Sequence, residues 1–269
     1  MDPRIFQQLG IHADVSHVIL VWALLMARVM PLLVLAPFIG GGLVPSEVKF
    51  GVGIAFTLML YPFVADTHIP PGTIAFVLLM AKEIFIGTTV AFLASMAFDA
   101  ARSAGTFIDT MSGANMATVY VPQIQQQATL FADFKFQLAI VIFLALNGHH
   151  VVIETLFLSF KAIPLNGWPT FAHGFWPLFD SVIRLTADLL MVAVGLAAPA
   201  AIATFLTDLT LGLINRVAPS IQVFFISMAV KPLVATVLSL AALLVVYERL
   251  MSVFRLMLEH VKHAVFLFS

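Results

Sequence analysis

Residues 99–127 read DAARSAGTFIDTMSGANMATVYVPQIQQQ and form most of a polar, glycine-bearing stretch that runs from Asp99 to Lys135 between long apolar runs. Small residues, Met, Val and Tyr are mixed there with Asn and Gln, so the stretch is neither a short membrane turn nor a plainly water-soluble loop. Irregular backbone at membrane depth is tolerated only where it is buried in protein or lines a cavity. We therefore expect this stretch to carry the function of the chain.

The rest of the chain is strongly apolar. Of its 269 residues, 61% are hydrophobic and 10% are charged, and the mean hydropathy is +1.06. Soluble globular domains have about 45–50% apolar and about 25% charged residues, so we predict one integral-membrane domain over residues 1–269. The net charge of −1 gives no attraction to nucleic acid, and the absence of cysteine excludes disulfides and thiolate chemistry.

Six apolar segments approach the ~20 residues that a helix needs to cross a bilayer. They are residues 16–38, 50–65, 73–98, 136–160, 178–206 and 221–247, and a charged amphipathic tail follows them. Prolines at positions 31, 62, 199 and 232 remove backbone donors and kink or end helices. We predict an all-α, multi-pass membrane protein of kinked helical hairpins. Residues 1–18 lack the pattern of a cleaved signal peptide, and nearly balanced Lys and Arg leave the orientation open.

Five ionisable residues lie within these apolar segments: Arg28, Lys82, Glu83, Asp188 and Lys231. Charges at membrane depth are costly and mark functional or packing sites. Such residues can pair between helices, extend their charge to the membrane interface or take part in ion transport. Their spacing in the sequence does not decide between these roles. Lys82 and Glu83 point about 100° apart on a helix, so we expect them to have different partners.

No catalytic motif stands out in the chain. There is no GxSxG, no Walker loop and no dinucleotide fingerprint. His150 and Glu154 share a helix face, but no second ligand pair completes a zinc site. We predict a protein that is not an enzyme, with no catalytic, cofactor-binding or metal-binding residues.

Two rival functions remain open from the residues. One is an intramembrane hydrolase around His149, His150 and Glu154, which would need a bound metal. The other is a secondary transporter in which Glu83 and Asp188 couple ions to a small solute. Transporters commonly contain internal repeats, and the sequence shows none.

The glycines and methionines of the central stretch suggest a third function. Gly105 and Gly113 permit close backbone approach, and Met111 and Met116 are soft apolar groups that adapt to varied surfaces. Such a loop suits a flexible seal around something of variable shape. A re-entrant loop that only fills a gap between helices is the alternative.

The order of motifs along nearly the whole chain resembles the FliR/SctT family of the type III secretion export apparatus. The motifs that carry this resemblance are Arg28 with Pro31, Ala36-Pro37, Val44-Pro45 with Lys49 and Gly51, Glu83 with Gly87, Ala104-Gly105, Ile108-Asp109, Gly113-Ala114, Ala117-Thr118 with Pro122, Asn147-Gly148-His149, Ser159-Phe160, Ile163-Pro164, Asp208, residues 211–214 (LGLI), Arg216, Ala218-Pro219, Val223-Phe224 and Lys231.

This resemblance implies a non-enzymatic, multi-pass protein of the bacterial inner membrane. One copy would join a FliP/SctR-like pentamer and several FliQ/SctS-like subunits in a pore that exports unfolded polypeptides. FlhB/SctU-like and FlhA/SctV-like export proteins would be neighbours, and no cofactor or nucleic acid is implied. The chain would consist of a FliP-like part, residues 1–205, and a FliQ-like hairpin with a tail, residues 206–269.

The resemblance also places a pore plug over about residues 107–123. Its candidate residues are Phe107, Met111, Gly113, Ala114, Met116, Val119, Tyr120 and Pro122. Met116, Val119 and Tyr120 fall at its apolar sealing positions. Val121 stands where flagellar chains commonly have an acidic residue, and residues 108–114 (IDTMSGA) look more like the injectisome branch, which we favour over the flagellar one.

Overall fold

The computed structural model describes residues 15–39, 44–65, 67–117, 119–121, 126–169 and 176–268. Its helices are, in chain order, α1 (Val15–Leu35), α2 (Ser46–Val64), α3 (Thr73–Ser112), α4 (Leu130–Ala145), α5 (Gly148–Ala162), α6 (Trp176–Val217), α7 (Val223–Ala241) and α8 (Leu243–Phe268). Short 3₁₀ helices occupy Pro37–Ile39 and Ala114–Ala117. The predicted all-α class is confirmed, with one unpredicted addition: strands β1 (Val119–Val121) and β2 (Gln126–Ala128) form a small antiparallel hairpin.

Among the described residues, five helices are long and apolar enough to cross a membrane, namely α1, α2, α3, α6 and α7. The α4–α5 pair bends by 71° at a short break and makes a sixth span if it is counted as one. This agrees with six predicted segments, the fourth of them interrupted. The break lies at Asn147, whose φ of 56° is in the left-handed region that Asn tolerates better than most residues.

The prolines at 31, 62, 199 and 232 lie inside α1, α2, α6 and α7, so they do not end these helices. The predicted last span, residues 221–247, is divided: α7 ends at Ala241 and α8 begins at Leu243. The charged tail is therefore part of a separate 26-residue helix.

Helix α3 organises the fold. Its 40 residues extend for about 60 Å at 1.5 Å per residue, roughly twice the ~30 Å hydrocarbon core of a bilayer. It packs against α1, α4, α6 and α8. At Gly87 the backbone of Arg28 lies so close that a Cβ would overlap it, and at Gly105 the backbone of Phe131 and Ala132 does the same. Small residues of this kind allow helix backbones to approach closely.

Four phenylalanine rings form the centre of the core. Phe38 follows α1, and Phe98, Phe143 and Phe254 come from α3, α4 and α8. Their centroids are 4.9 to 6.1 Å apart in five pairs, within the range in which aromatic rings attract one another. The cluster joins helices from both ends of the chain into one core. Helix α6 runs without interruption across residue 206, and the division into FliP-like and FliQ-like parts stays a prediction.

Candidate functional site

The central stretch begins as helix. We expected the third span to end at residue 98, but α3 continues through Phe107 and Met111 to Ser112. Its threonines explain how a polar sequence stays helical: Thr110 Oγ1 donates to the carbonyl of Thr106 at 2.9 Å, and Thr106 donates likewise to Arg102. The helix stops at Gly113, whose φ of 76° is the left-handed cap conformation that glycine adopts without a steric penalty.

Beyond Gly113 the chain presents an apolar side chain to its surroundings. Ala114 is buried, whereas the Met116 side chain is 73% exposed. The backbone of Val119 and Tyr120 forms β1, with Tyr120 paired to Gln127. Pro122 lies outside the described residues. Of the other candidate plug residues, Phe107 is exposed and Met111 is half-buried, both on the last turns of α3.

Asp109 closes the base of this loop. It is buried on α3, and its two carboxylate oxygens accept hydrogen bonds from Phe131 N at 3.1 Å and Ala132 N at 2.9 Å. These are unsatisfied donors in the first turn of α4, where a negative charge is favoured by the helix dipole. We name residues 113–129, which this bond pair encloses, the central loop.

Two cations brace the α3–α4 junction. The Arg102 guanidinium lies 3.8 Å from the centre of the Phe136 ring, a cation–π contact. Lys135 is buried and donates to the carbonyl of Leu196 in α6 at 3.3 Å. Leu196 lies three residues before Pro199, in the turn where proline removes a helical donor. The first turns of α4, which follow the central loop, are thus attached to α6 as well as to α3.

A second cluster joins three of the five predicted charges. Arg28 on α1 and Glu83 on α3 form an ion pair, and both side chains are 0% exposed. Lys82 Nζ lies 2.7 Å from Glu83 Oε1. Lys82 and Glu83 thus contact each other, which we did not predict, while their other partners differ as expected: Glu83 binds Arg28 and Lys82 binds loop carbonyls.

Backbone carbonyls solvate the surplus positive charge of this cluster. Arg28 donates to the carbonyls of Ser159 at 2.8 Å and Ile163 at 3.0 Å, at the C-terminal end of α5. Lys82 Nζ donates to the carbonyls of Pro164, Leu165 and Gly167 at 2.8 to 3.2 Å. Cations are favoured at a helix C-terminus. The cluster fixes the α5 end and the following loop against α1 and α3.

The remaining two predicted charges lie elsewhere. Lys231 on α7 pairs with Asp208 on α6 at 2.9 Å, with their side chains 20% and 47% exposed. Asp188 is exposed on α6 and lines a groove of about 600 Å³ between α6 and α8. Glu83 is enclosed and already bound by two cations, so it shares no described cavity with Asp188. This arrangement gives no support to an ion-coupling pair of these two carboxylates.

The histidines lie at the α4–α5 break. The rings of His149 and His150 are 4.1 Å apart between centroids. Within the described ranges no three His, Asp or Glu side chains are grouped so that they could hold a metal ion.

Sequence reasoning missed the roles of Asp109, Lys135 and Ser159. Nothing local indicates that Asp109 caps a helix that begins more than twenty residues later. Lys135 gave no local signal, since its partner, the carbonyl of Leu196, lies 61 positions further along the chain. Ser159 was noted only as part of a motif, yet its carbonyl binds Arg28.

The chain is similar in sequence to known proteins over most of its length. The family model described as bacterial export proteins, family 1, matches residues 19–257. The flagellar biosynthetic protein FliR of Bacillus subtilis is 27% identical over 243 residues, covering 89% of this chain and 92% of the relative. FliR of Escherichia coli is 32% identical over 217 residues, covering 80% and 79%. The Yop proteins translocation protein T of Yersinia pestis is 30% identical over 226 residues, covering 83% and 86%. Identities of 32% and 30% do not separate the flagellar from the injectisome branch, so that preference stays a prediction.

Proposed function

This chain belongs to the bacterial export proteins, family 1, in agreement with its resemblance to the FliR/SctT family, and we propose that it helps to build and seal an export gate. It is a multi-pass inner-membrane component of a type III secretion export apparatus. In our proposal it is a structural subunit and not a catalyst. Unfolded polypeptides cross the membrane through the pore to which it contributes.

The exposed apolar face of α7 supports assembly with other membrane chains. Of the described α7 residues, Ala235 and Ser239 alone are buried, while Phe224, Phe225 and Leu233 are each about two-thirds exposed. The partly exposed Asp208–Lys231 pair lies between α6 and α7. A charged pair at membrane depth is more costly against lipid than against protein. We therefore expect FliP/SctR-like and FliQ/SctS-like chains to cover this face, with this chain present once, and FlhB/SctU-like and FlhA/SctV-like chains nearby.

The proposal that this chain seals the pore rests on Met116. It is a large, soft apolar side chain that is 73% exposed, and it lies in the 3₁₀ helix that follows α3. A hydrophobic constriction closes a pore to ions by excluding water. Because methionine has three rotatable bonds and a polarizable sulfur, it can pack against varied surfaces and move aside for a polypeptide.

The Asp109 bonds explain how the base of such a seal can be fixed. They hold the end of α3 to the start of α4. In our proposal the plug comprises Phe107, Met111, Gly113, Ala114 and Met116, followed by Val119, Tyr120 and Pro122. Gly113 permits the sharp turn that directs the chain away from α3.

Co-purification tests this proposal. The chain would be expressed with candidate four-helix and two-helix membrane partners and isolated in mild detergent through a tag on this chain. We expect one stable complex that contains this chain once. A chain that stays monomeric and takes up a small solute by itself in a saturable manner would contradict the proposal and support the transporter.

A further inference from the structure

The groove between α6 and α8 is apolar except for two charged residues. Its volume is about 600 Å³, within the range of about 300–1,000 Å³ that is usual for small-molecule sites. Asp188 lines it from α6 and Arg249 lines it from α8. Every other lining residue is apolar, as at Met191 and Gly195 on α6 and Val245 on α8. The groove therefore offers one positive group, one negative group and a long apolar surface.

The uncharged length of α6 matches the thickness of a membrane. Residues 189–207 contain no charged side chain and extend for about 28 Å at 1.5 Å per residue. The hydrocarbon core of a bilayer is about 30 Å thick. Asp188 immediately precedes this segment and Asp208 immediately follows it. Residues 232–247, in α7 and the start of α8, are uncharged as well.

Two contacts place these uncharged segments side by side. Lys231 Nζ lies 2.9 Å from Asp208 Oδ1, and Ser181 is bonded to His260 at 2.9 Å. Helix α6 is therefore antiparallel to α7 and α8, and the uncharged part of each lies beside that of the other.

The groove crosses the boundary of the uncharged segment. Its α6 wall runs from Asp188, just outside that segment, to Pro199 inside it. Its α8 wall likewise includes Val245, within residues 232–247, and Arg249, just beyond them. One part of the groove is thus at the level of the hydrocarbon and the other is at the level where lipid headgroups lie.

The two charged residues of the groove do not bind each other. Among the described residues, no ion pair includes Asp188 or Arg249. Arg184 lies one turn before Asp188, but its Nε is bound to Asp180 at 2.7 Å. Both Asp188 and Arg249 are exposed, so both are available to a ligand. A carboxylate and a guanidinium at the end of an apolar groove complement a headgroup that carries both signs of charge.

We propose that this groove binds one phospholipid with a zwitterionic headgroup, phosphatidylethanolamine. The guanidinium of Arg249 donates to the phosphate oxygens, and the Asp188 carboxylate accepts from the primary ammonium. One acyl chain follows the apolar surface past Met191 and Gly195 toward the hydrocarbon. Polar pockets between membrane helices bind lipid headgroups in this way. The proposal requires only a membrane location and does not depend on the export function.

Native mass spectrometry of the full chain tests the proposal. The chain would be purified in mild detergent and supplied with phosphatidylethanolamine or with phosphatidylglycerol, which has the phosphate but lacks the ammonium. We expect one retained phosphatidylethanolamine per chain. Its retention should exceed that of phosphatidylglycerol at least about threefold, the effect of one exposed ion pair.

Four variants identify the site. Arg249→Gln should lower retention of both lipids at least about fivefold, because the phosphate loses a charged donor. Arg255→Gln is the matched control, since Arg255 is exposed on α8 outside the groove and its loss should change nothing. Asp188→Asn should lower phosphatidylethanolamine to the level of phosphatidylglycerol. A Cβ added at Gly195 meets no described atom within 4 Å, so Gly195→Leu should fill the groove and expel the lipid without lowering the melting temperature.

Three results would overturn the proposal. They are equal retention of the two lipids by the unsubstituted chain, equal losses in Arg249→Gln and Arg255→Gln, and release of the lipid when the chain assembles with its partners. The last result would mean that a partner chain fills the groove. None of them bears on the export function, which co-purification and conductance test separately.

Discussion

The carboxylate of Asp109 accepts a hydrogen bond of 2.9 Å from the backbone N–H of Ala132, 23 positions along the chain. Its other oxygen accepts from the neighbouring N–H of Phe131. Thr129 holds the N-cap position of α4, but its side chain makes no cap bond. Asp109 thus supplies from α3 the cap that α4 lacks. The central loop is consequently closed at its base by one side chain.

We predict that Asp109→Asn loosens the central loop. An amide offers one oxygen and turns a donor toward a backbone N–H, so one of the two bonds is lost at a cost of about 1–3 kcal/mol. The purified complex should melt at lower temperature, and protease should cut within the central loop more readily. Asp133→Asn is the control, since Asp133 is also in the first turn of α4 and its removal costs only about 0.3–1 kcal/mol of dipole interaction. Equal losses in the two variants would mean that Asp109 has no special role.

The distance between α1 and α3 should be sensitive to any side chain at position 87. The methyl group of Gly87→Ala would overlap the backbone of Arg28, so α1 and α3 must separate, at a cost of about 1–3 kcal/mol for overpacking. Gly51→Ala on α2 has open space around it and should be neutral or stabilise the helix by up to about 1 kcal/mol. Thermal unfolding in detergent measures both. An unchanged melting temperature for Gly87→Ala would refute the close contact.

The buried charge cluster should respond unequally to loss of its members. Glu83→Gln leaves Arg28 and Lys82 buried without a counter-charge, and breaking such a pair typically costs about 3–5 kcal/mol. Lys82→Met removes the surplus cation and should cost less, although three loop carbonyls lose their donor. The yield of assembled complex and its melting temperature should both rank Glu83→Gln below Lys82→Met. The reverse order would contradict the charge assignment.

The Asp208–Lys231 pair offers a charge-swap test of the α6–α7 hairpin. Asp208→Lys places two cations together and should reduce recovery of partner chains on purification. Combining it with Lys231→Asp restores opposite charges and should recover much of the loss, as expected for side chains that interact directly. A double variant that assembles no better than the single variant would show that Asp208 acts through another partner.

Much of the fold could be predicted from the sequence because membrane burial imposes a simple length and composition rule. The apolar segments and the break at residues 147–150 followed from that rule. The end of α3 could not be predicted in this way. Thr106 and Thr110 make their hydroxyl hydrogen bonds within the helix, so a sequence that looks polar is still helical. The separation of α7 from α8 at Ala242 was missed because the apolar pattern continues through it.

The candidate site was predictable as a set of residues but not as a set of partners. Arg28 and Glu83 stood out as costly charges, yet their pairing across 55 positions depends on how α1 packs on α3. Asp109 was one of many motif residues until α4 was placed beside it. Contacts of this kind depend on tertiary packing, which local patterns in the sequence do not specify.

The ion conductance of membranes containing the assembled gate tests the central claim most directly. Met116→Asp places a charge at the exposed apolar position of the central loop, and water should then enter the constriction and raise the resting conductance at least about tenfold. Met116→Leu keeps the apolar volume and should stay closed. Unchanged conductance in fully assembled Met116→Asp gates would contradict the claim that this loop seals the pore.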